Sequence, residues 1–201
     1  MKKLLPFFSY LFHPIFIPIL GTLFYIVFGD SYVAKEKLYL VLVQVIIIMF
    51  FLPLSFFYLL KTFGKVDNIM LSETSQRKIP LLMQIALTTI LISKSITVDR
   101  FPELFFFFLG GLGSTLIAFA LLFAKIKISI HMIAMSALSF FVIGMSVHHQ
   151  LNVIFLIATL FFLTGIVASS RLAMKAHSIE ELAIGYVSGV LPQMVLWLFW
   201  L

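Results

Sequence analysis

Seven apolar runs, each long enough to cross the hydrocarbon core of a membrane, constrain this chain more than any other feature. They lie at about 6–29, 38–60, 79–97, 102–124, 128–147, 151–169 and 182–201. A membrane-crossing helix needs about 20 apolar residues. Backbone groups in lipid must be bonded within the structure, which favours helices, and the alternation of barrel strands is missing. We therefore predict an all-α, polytopic integral membrane helical bundle of six or seven transmembrane helices, with residues 1–201 forming one domain.

Composition also indicates that the bilayer is the solvent. Hydrophobic residues make up 62% of the chain and charged residues 11%, and the mean hydropathy is +1.16. Soluble domains carry about 25% charged residues. Cysteine is absent, which excludes disulfides, thiolate metal sites and a cysteine nucleophile.

The first apolar run begins with a basic segment and superficially resembles a signal peptide. It lacks a small-residue cleavage site and stays apolar to about Gly29. We therefore predict a retained first span, with a short helix that breaks at His13-Pro14.

The net charge of +6 is distributed over short loops. The even-numbered loops and the N-terminus, on one side of a seven-span chain, hold ten of the 14 lysines and arginines. Such a distribution argues against nucleic acid as a partner and for orientation in the membrane or attraction to anionic lipids. It favours the cytoplasmic side for this face, with the outer side as the open alternative, in a cell membrane (the inner membrane if the organism is a Gram-negative bacterium).

The most ionisable segment of the chain lies on that face, between the last two spans. His177 and Glu181 are four residues apart and share one face of a helix. A carboxylate against one imidazole nitrogen fixes the tautomer and makes the other nitrogen more basic, which suits a nucleophile or a general base. Arg171, just upstream, can hold a phosphate or carboxylate. The structural alternative is a loop-to-helix cap at the membrane interface.

Two other loops bring polar groups to the same face. Lys127, Ser129 and His131 lie at the start of a span, where free backbone N–H groups favour an anion. Arg77 and Lys78 precede another span. Topology alone can explain cations that flank spans, and an isolated histidine there can be an interfacial hydrogen-bonding group. Together, however, these residues predict a site for a phosphate ester.

The last of these segments resembles a signature of the type 2 phosphatidic acid phosphatase superfamily of integral membrane enzymes. The family's third signature reads Ser-Arg, five residues, His, three residues, Asp. This chain has Ser170-Arg171, five residues, His177, three residues and Glu181. The spacing matches fully, with glutamate in place of aspartate.

The family's other two signatures are matched in part. The second reads Pro-Ser-Gly-His, and the segment "ISIH" keeps Ser129 and His131 but has isoleucines for the proline and glycine. The first reads Lys, six residues, Arg-Pro. The segment "SETSQRKIP" offers Arg77, with two residues before the proline, and Met70 occupies the lysine position. The resemblance covers roughly residues 65–190.

This resemblance implies hydrolysis of a lipid phosphate or diphosphate without a metal or other cofactor. It implies that His177 attacks phosphorus and becomes a phosphohistidine, that Glu181 orients it, and that His131 protonates the leaving oxygen. The predicted phosphate-binding residues are Arg171, Arg77, Ser129 and Lys127. The partners expected from this function are a lipid phosphate substrate and membrane lipids.

A protein that does not catalyse is the alternative function. A degenerate family member or a carrier would use the same cations to bind an anionic lipid or phosphate without turnover. The remaining histidines have other expected roles. We expect a structural hydrogen bond for His13, and no part in this site for His148 and His149, which lie in a tight turn on the opposite face. The GxxxG pair Gly185 and Gly189 predicts close helix packing beneath the site.

Overall fold

The apolar runs form helices in the computed structural model, which describes residues 5–29, 33–67, 69–70 and 74–201. The α-helices are α1 Leu5–Leu11, α2 Ile17–Phe28, α3 Lys35–Ile46, α4 Leu52–Thr62, α5 Lys78–Lys94, α6 Pro102–Phe123, α7 Ile130–His148, α8 Ile154–Ala173 and α9 Ile179–Trp200. No strand occurs within the described ranges. The predicted all-α class is confirmed.

Six helical stretches among the described residues are long and apolar enough to cross a membrane. They are Leu5–Phe28, Lys35–Thr62, Pro102–Phe123, Ile130–His148, Ile154–Ala173 and Ile179–Trp200. The seventh predicted span, 79–97, corresponds to α5, whose 17 residues rise about 26 Å and fall short of the hydrocarbon core of about 30 Å. The chain is therefore a multi-pass membrane protein, and its described residues form six helical stretches of spanning length and the shorter α5.

The first apolar run breaks at the predicted place. α1 ends at Leu11, and a short 3₁₀ turn, Pro14–Phe16, leads into α2. The residue before a proline is pushed out of the helical region, and His13 is extended with ψ of 138°. Its Nδ1 accepts a hydrogen bond from the Ile15 amide at 3.3 Å. The predicted structural hydrogen bond of His13 is thus confirmed.

The second run is one long helical stretch with a local widening. A five-residue π-helical segment, Ile47–Phe51, joins α3 to α4. Pro53 lies just after this segment. A proline inside an α-helix removes a hydrogen bond and clashes with the carbonyl four residues earlier. The wider turn gives the proline the room that it needs without ending the helix.

α7 is the central helix of the bundle. Twelve of its 19 residues are buried, on all of its sides, as expected of a helix surrounded by neighbours. α9 packs closely against it through two glycines. A side chain at Gly185 would lie 2.6 Å from the Ser129 carbonyl oxygen, and one at Gly189 would collide with Ser136. The predicted role of the GxxxG pair in close packing is confirmed.

The two ends of α7 lie in different chemical surroundings. His131, near its start, and His148, at its end, are separated by about 26 Å along the helix axis. We call the end that contains Arg77, Arg171 and His177 the arginine face. We call the end that contains Glu103, His148 and His149 the glutamate face. As predicted, His148 and His149 lie on the face opposite to His177.

Candidate functional site

The His177–Glu181 pair is formed where α8 turns into α9. Lys175 reverses the chain with a φ of 52°, and Ser178 caps α9 by accepting a hydrogen bond from the Glu181 amide at 3.2 Å. In a capping box, the glutamate three residues after the cap reaches back to the cap amide. Here the Glu181 carboxylate accepts a hydrogen bond from His177 Nδ1 at 2.6 Å. Glu181 therefore takes part in both interactions. Its amide donates to the Ser178 cap, and its carboxylate accepts the hydrogen bond from His177.

This hydrogen bond determines the tautomer of His177. Because Nδ1 donates its proton to the carboxylate, Nε2 carries the lone pair. Only 2% of the His177 side chain is exposed, against 25% for Glu181. Burial lowers the pKa of His177 to about 4, against a smaller upward effect of the hydrogen bond to Glu181, and the charges of Arg171 and Arg77 lower it further. His177 is therefore neutral at pH 7, the state that a nucleophile requires.

Arg171 is the most unusual residue of the site because its charge is buried and no carboxylate among the described residues pairs with it. The residue ends α8 and is 1% exposed. Its Nη1 donates to two thioether sulfurs, Met70 Sδ at 3.5 Å and Met174 Sδ at 3.9 Å. Sulfur is a weak acceptor. Its Nε has no hydrogen-bond partner, and no carboxylate forms an ion pair with it, in the part of the chain that the structure describes.

A buried guanidinium without an anion is energetically costly, since burial of a charge must be compensated by an opposite charge or by strong hydrogen bonds. Two features of the surroundings add to this cost, because neither brings a negative charge to Arg171. Met70 stands seven residues before Arg77, and the side chain that it brings to Arg171 is uncharged. The charge of Arg171 is also within electrostatic reach of His13, His131 and His177. The arrangement therefore offers unused donors beside three imidazoles.

Arg77 ties two of the loops together. It ends the 3₁₀ turn Thr74–Arg77, is buried, and donates from Nη1 to the carbonyl oxygen of Ile128 at 2.8 Å. Its charge acts on His177 from this position. The segment before α7 is in turn joined to α9, because the Ser129 amide donates to the Glu181 carbonyl oxygen at 3.2 Å. The three predicted segments therefore meet at one place.

Ser129 and His131 belong to the same cluster but have partners of their own. The Ser129 hydroxyl is fully buried and caps α7 by accepting from the Met132 amide at 3.5 Å. His131 Nε2 donates to the carbonyl oxygen of Ser9 at 3.0 Å, since a carbonyl can only accept. Ser9 also bonds through its hydroxyl to the Ser170 hydroxyl at 2.6 Å.

Lys127 is not shown to join the cluster. It is half-buried in the segment before α7, and within the described ranges no hydrogen bond or ion pair joins it to the other predicted site residues. The structure thus brings His177, Glu181, Arg171, Arg77, Ser129 and His131 together and leaves Lys127 at the edge.

Sequence reasoning missed part of the cluster. The rings of His13 and His131 meet edge to face, with centroids 5.4 Å apart. Ser9 was not singled out, although it contacts both His131 and Ser170. The break at His13-Pro14 is the one signal that could have placed them, because it lets α1 fold against the end of α8.

An apolar cavity of about 230 Å³ adjoins this cluster, and His13 forms part of its wall. It lies between α2, α4, α5, α6 and α7. Its lining includes Ile17, Pro53, Leu81, Phe108, Ile133 and Ala137. Apolar pockets with a few polar groups at one end are typical of small-molecule sites.

Comparisons with known proteins add no further constraint, since no protein-family model, curated protein or solved structure matches the chain. Fold and site define its class directly. It is a multi-pass helical membrane protein with a buried cluster of imidazoles and guanidiniums at one end of the bundle.

Proposed function

We propose that the chain is a membrane-embedded phosphatase that hydrolyses a lipid phosphate or diphosphate at the arginine face, in a cell membrane. The observation that carries this proposal is the buried Arg171 guanidinium, for which two thioethers are the hydrogen-bond acceptors among the described residues, beside the neutral His177 that Glu181 orients. A phosphate group would supply the missing negative charge and use the free donors. It would also bring phosphorus to the neighbourhood of a histidine with a free Nε2 lone pair.

The proposed reaction has two steps. His177 Nε2 attacks phosphorus, a P–N bond forms, and the P–O bond to the lipid breaks as His131 supplies a proton to the leaving oxygen. Water then attacks phosphorus and gives a proton to His131, a P–O bond forms and the P–N bond breaks, which releases inorganic phosphate and restores both histidines. Glu181 holds the Nδ1 proton throughout. Phosphoryl transfer depends mainly on positioning and on neutralising the equatorial oxygens, for which Arg171 and Arg77 are the candidates.

The surroundings of the cluster support a lipid as the substrate. The apolar cavity beside His13 gives a hydrocarbon tail a place next to the polar cluster. A substrate anchored in the bilayer is also concentrated and oriented before it reaches the site.

The test is phosphate release in detergent micelles that contain EDTA. The substrates are phosphatidic acid, phosphatidylglycerol phosphate and a polyprenyl diphosphate. We expect release by the wild type and a loss of about 10⁴-fold or more in His177→Ala, because the nucleophile is removed. Asn152→Ala, a polar truncation in an exposed loop, is the control and should keep the wild-type rate. An unchanged rate in a folded His177→Ala protein would exclude the proposed mechanism.

One observation favours the second candidate, a protein that binds lipid phosphate without turnover. His131 Nε2 already donates to the Ser9 carbonyl, and the Ser129 hydroxyl already caps α7. Two of the predicted groups are therefore engaged within the protein. If no substrate releases phosphate while vanadate still raises the melting temperature of the wild type but not of Arg171→Met, the binding function is the correct one.

A further inference from the structure

The glutamate face gathers three metal-ligating side chains that the proposed phosphatase does not use. Glu103 lies in the first turn of α6, His148 ends α7, and His149 follows it. Glu103 Oε1 lies 3.3 Å from His149 Nε2 and 3.7 Å from His148 Nε2. One ligand atom from each of the three residues lies within 4.8 Å of the other two.

These separations suit a tetrahedral metal ion. Zinc binds imidazole nitrogens and carboxylate oxygens at about 2.0–2.2 Å. Two ligands at that distance and at the tetrahedral angle are about 3.4 Å apart. The two separations that involve Glu103, 3.3 and 3.7 Å, bracket this value, and the two imidazoles lie within 4.8 Å of each other, so rotation of the side chains can centre an ion among them.

The donor types identify the class of metal. Two imidazoles and one carboxylate form one of the common three-ligand sets of zinc, whereas calcium and magnesium prefer oxygen ligands throughout. We propose that Glu103, His148 and His149 bind a divalent transition-metal ion, Zn²⁺ by their chemistry, at the glutamate face. The proposal is independent of the phosphatase site, about 26 Å away along α7.

The surroundings of the three side chains fit such an ion. Glu103 is buried, and a buried carboxylate needs a cation or strong hydrogen bonds. The His149 side chain is 7% exposed and that of His148 is 35% exposed, so the ligand set has a closed side and an open side. The Trp200 ring packs against His148 with centroids 5.6 Å apart, which restricts the orientation of that imidazole.

The open side faces a recess of about 910 Å³ that Glu103 and His148 line. Lys37 and Lys94 lie in the wall of the same recess. The fourth coordination position is therefore accessible to water or to a small anion. Because the ligands come from the start of α6 and the end of α7, the ion would also join these two helices, so that metal binding should stabilise the fold.

The experiment is a metal titration of the full chain, purified through a tag without histidine, stripped with EDTA and dialysed. Co²⁺ is the probe, because its visible absorption reports tetrahedral coordination, and Zn²⁺ is the competitor. We expect one Co²⁺ per chain, displaced by Zn²⁺, in the wild type and in His177→Ala, which removes an imidazole from the other face. Glu103→Gln and His149→Ala should weaken binding by about a hundredfold or more.

Three results would overturn the proposal. They are no binding of Co²⁺ or Zn²⁺ by the wild type, unchanged affinity in Glu103→Gln and His149→Ala, and loss of binding in His177→Ala. Glu103→Gln keeps the shape of the side chain and guards against a variant that does not fold. His148→Ala truncates the most exposed of the three ligands, so it should disturb folding least. It should also weaken Co²⁺ binding.

Discussion

The two faces at the ends of α7 differ in the sign of the charge that they bury. At the arginine face, Arg171 is buried against thioethers, and its charge acts on His177. At the glutamate face, Glu103 is buried against two imidazoles. Imidazole appears on both faces, but it serves different chemistry beside a cation than beside a carboxylate. The charge that accompanies the histidines therefore indicates the kind of ligand, an anion at the first face and a metal cation at the second.

Helix direction strengthens this difference. The starts of α5, α7 and α9 all lie at the arginine face, and helix starts present free N–H groups and a partial positive charge. At the glutamate face, α7 ends with a partial negative charge beside His148, while α6 begins beside Glu103. The starts of α5, α7 and α9 thus add positive potential at the arginine face, although Arg171 itself lies in the last turn of α8, whose end carries a partial negative charge. At the glutamate face, the start of α6 stabilises the carboxylate and the end of α7 stabilises a cation.

Among the tests of the difference between the two faces, removal of the Arg171 charge should have the largest effect on kcat. We expect Arg171→Met to lower kcat by about 10²- to 10³-fold, the loss seen when one donor to a developing oxyanion is removed. The same variant should melt at a higher temperature without phosphate, because an uncompensated buried charge is replaced by an apolar side chain of similar length. Phosphate release and thermal unfolding measure the two effects.

The matched control is Arg100→Met, at an exposed arginine of the opposite face. It should change neither quantity. A lower melting temperature in Arg171→Met would show that the guanidinium is compensated in the folded protein, and the difference between the two faces would then disappear.

The orientation of His177 provides the next test. Glu181→Gln keeps the shape of the side chain but removes the carboxylate, and we expect kcat to fall by about 10- to 100-fold. The carboxylate raises the pKa of His177 through its hydrogen bond and its charge. Its removal should therefore lower that pKa further, and the acid limb of the pH–rate profile should move to lower pH. Glu180→Gln, one residue away and exposed, is the control.

If Glu181→Gln lost activity with no shift of the acid limb, the carboxylate would act on the structure of the turn instead of on the imidazole. Glu180→Gln should leave both the rate and the profile unchanged. The pair of variants therefore separates the orienting role of Glu181 from its place in the first turn of α9.

Local patterns in the sequence predicted much of the fold and part of the site. The apolar runs predicted the helices because the requirement for internal hydrogen bonds in lipid leaves little choice of structure. The i, i+4 spacing predicted the contact between His177 and Glu181, because helix geometry alone fixes it. In α5 the end was misplaced, since Ser95, Ile96 and Thr97 continue the apolar run but lie beyond the last helical residue, Lys94.

Contacts between distant parts of the chain could not be predicted in the same way. Ser9 and Ser170 are 161 residues apart, and no periodicity connects them. Glu103 lies 45 residues before His148, and their approach depends on how α6 packs against α7. The opposite face was predicted for His148 and His149, but their acidic neighbour was not. Packing between helices, which depends on glycines such as Gly185 and on the turns, decides such contacts.

The two faces should respond to different ligands, and this is the smallest effect that we predict. A ligand at 100 times its Kd stabilises a folded protein by about 2.7 kcal/mol, or several degrees in melting temperature for a chain of this size. Vanadate should protect the wild type and Glu103→Gln but not Arg171→Met. Zn²⁺, added in a separate titration, should protect the wild type and Arg171→Met but not Glu103→Gln. If either ligand protected all three proteins equally, its binding would not depend on the buried charge of the face assigned to it, and the histidines alone would not justify the assignment.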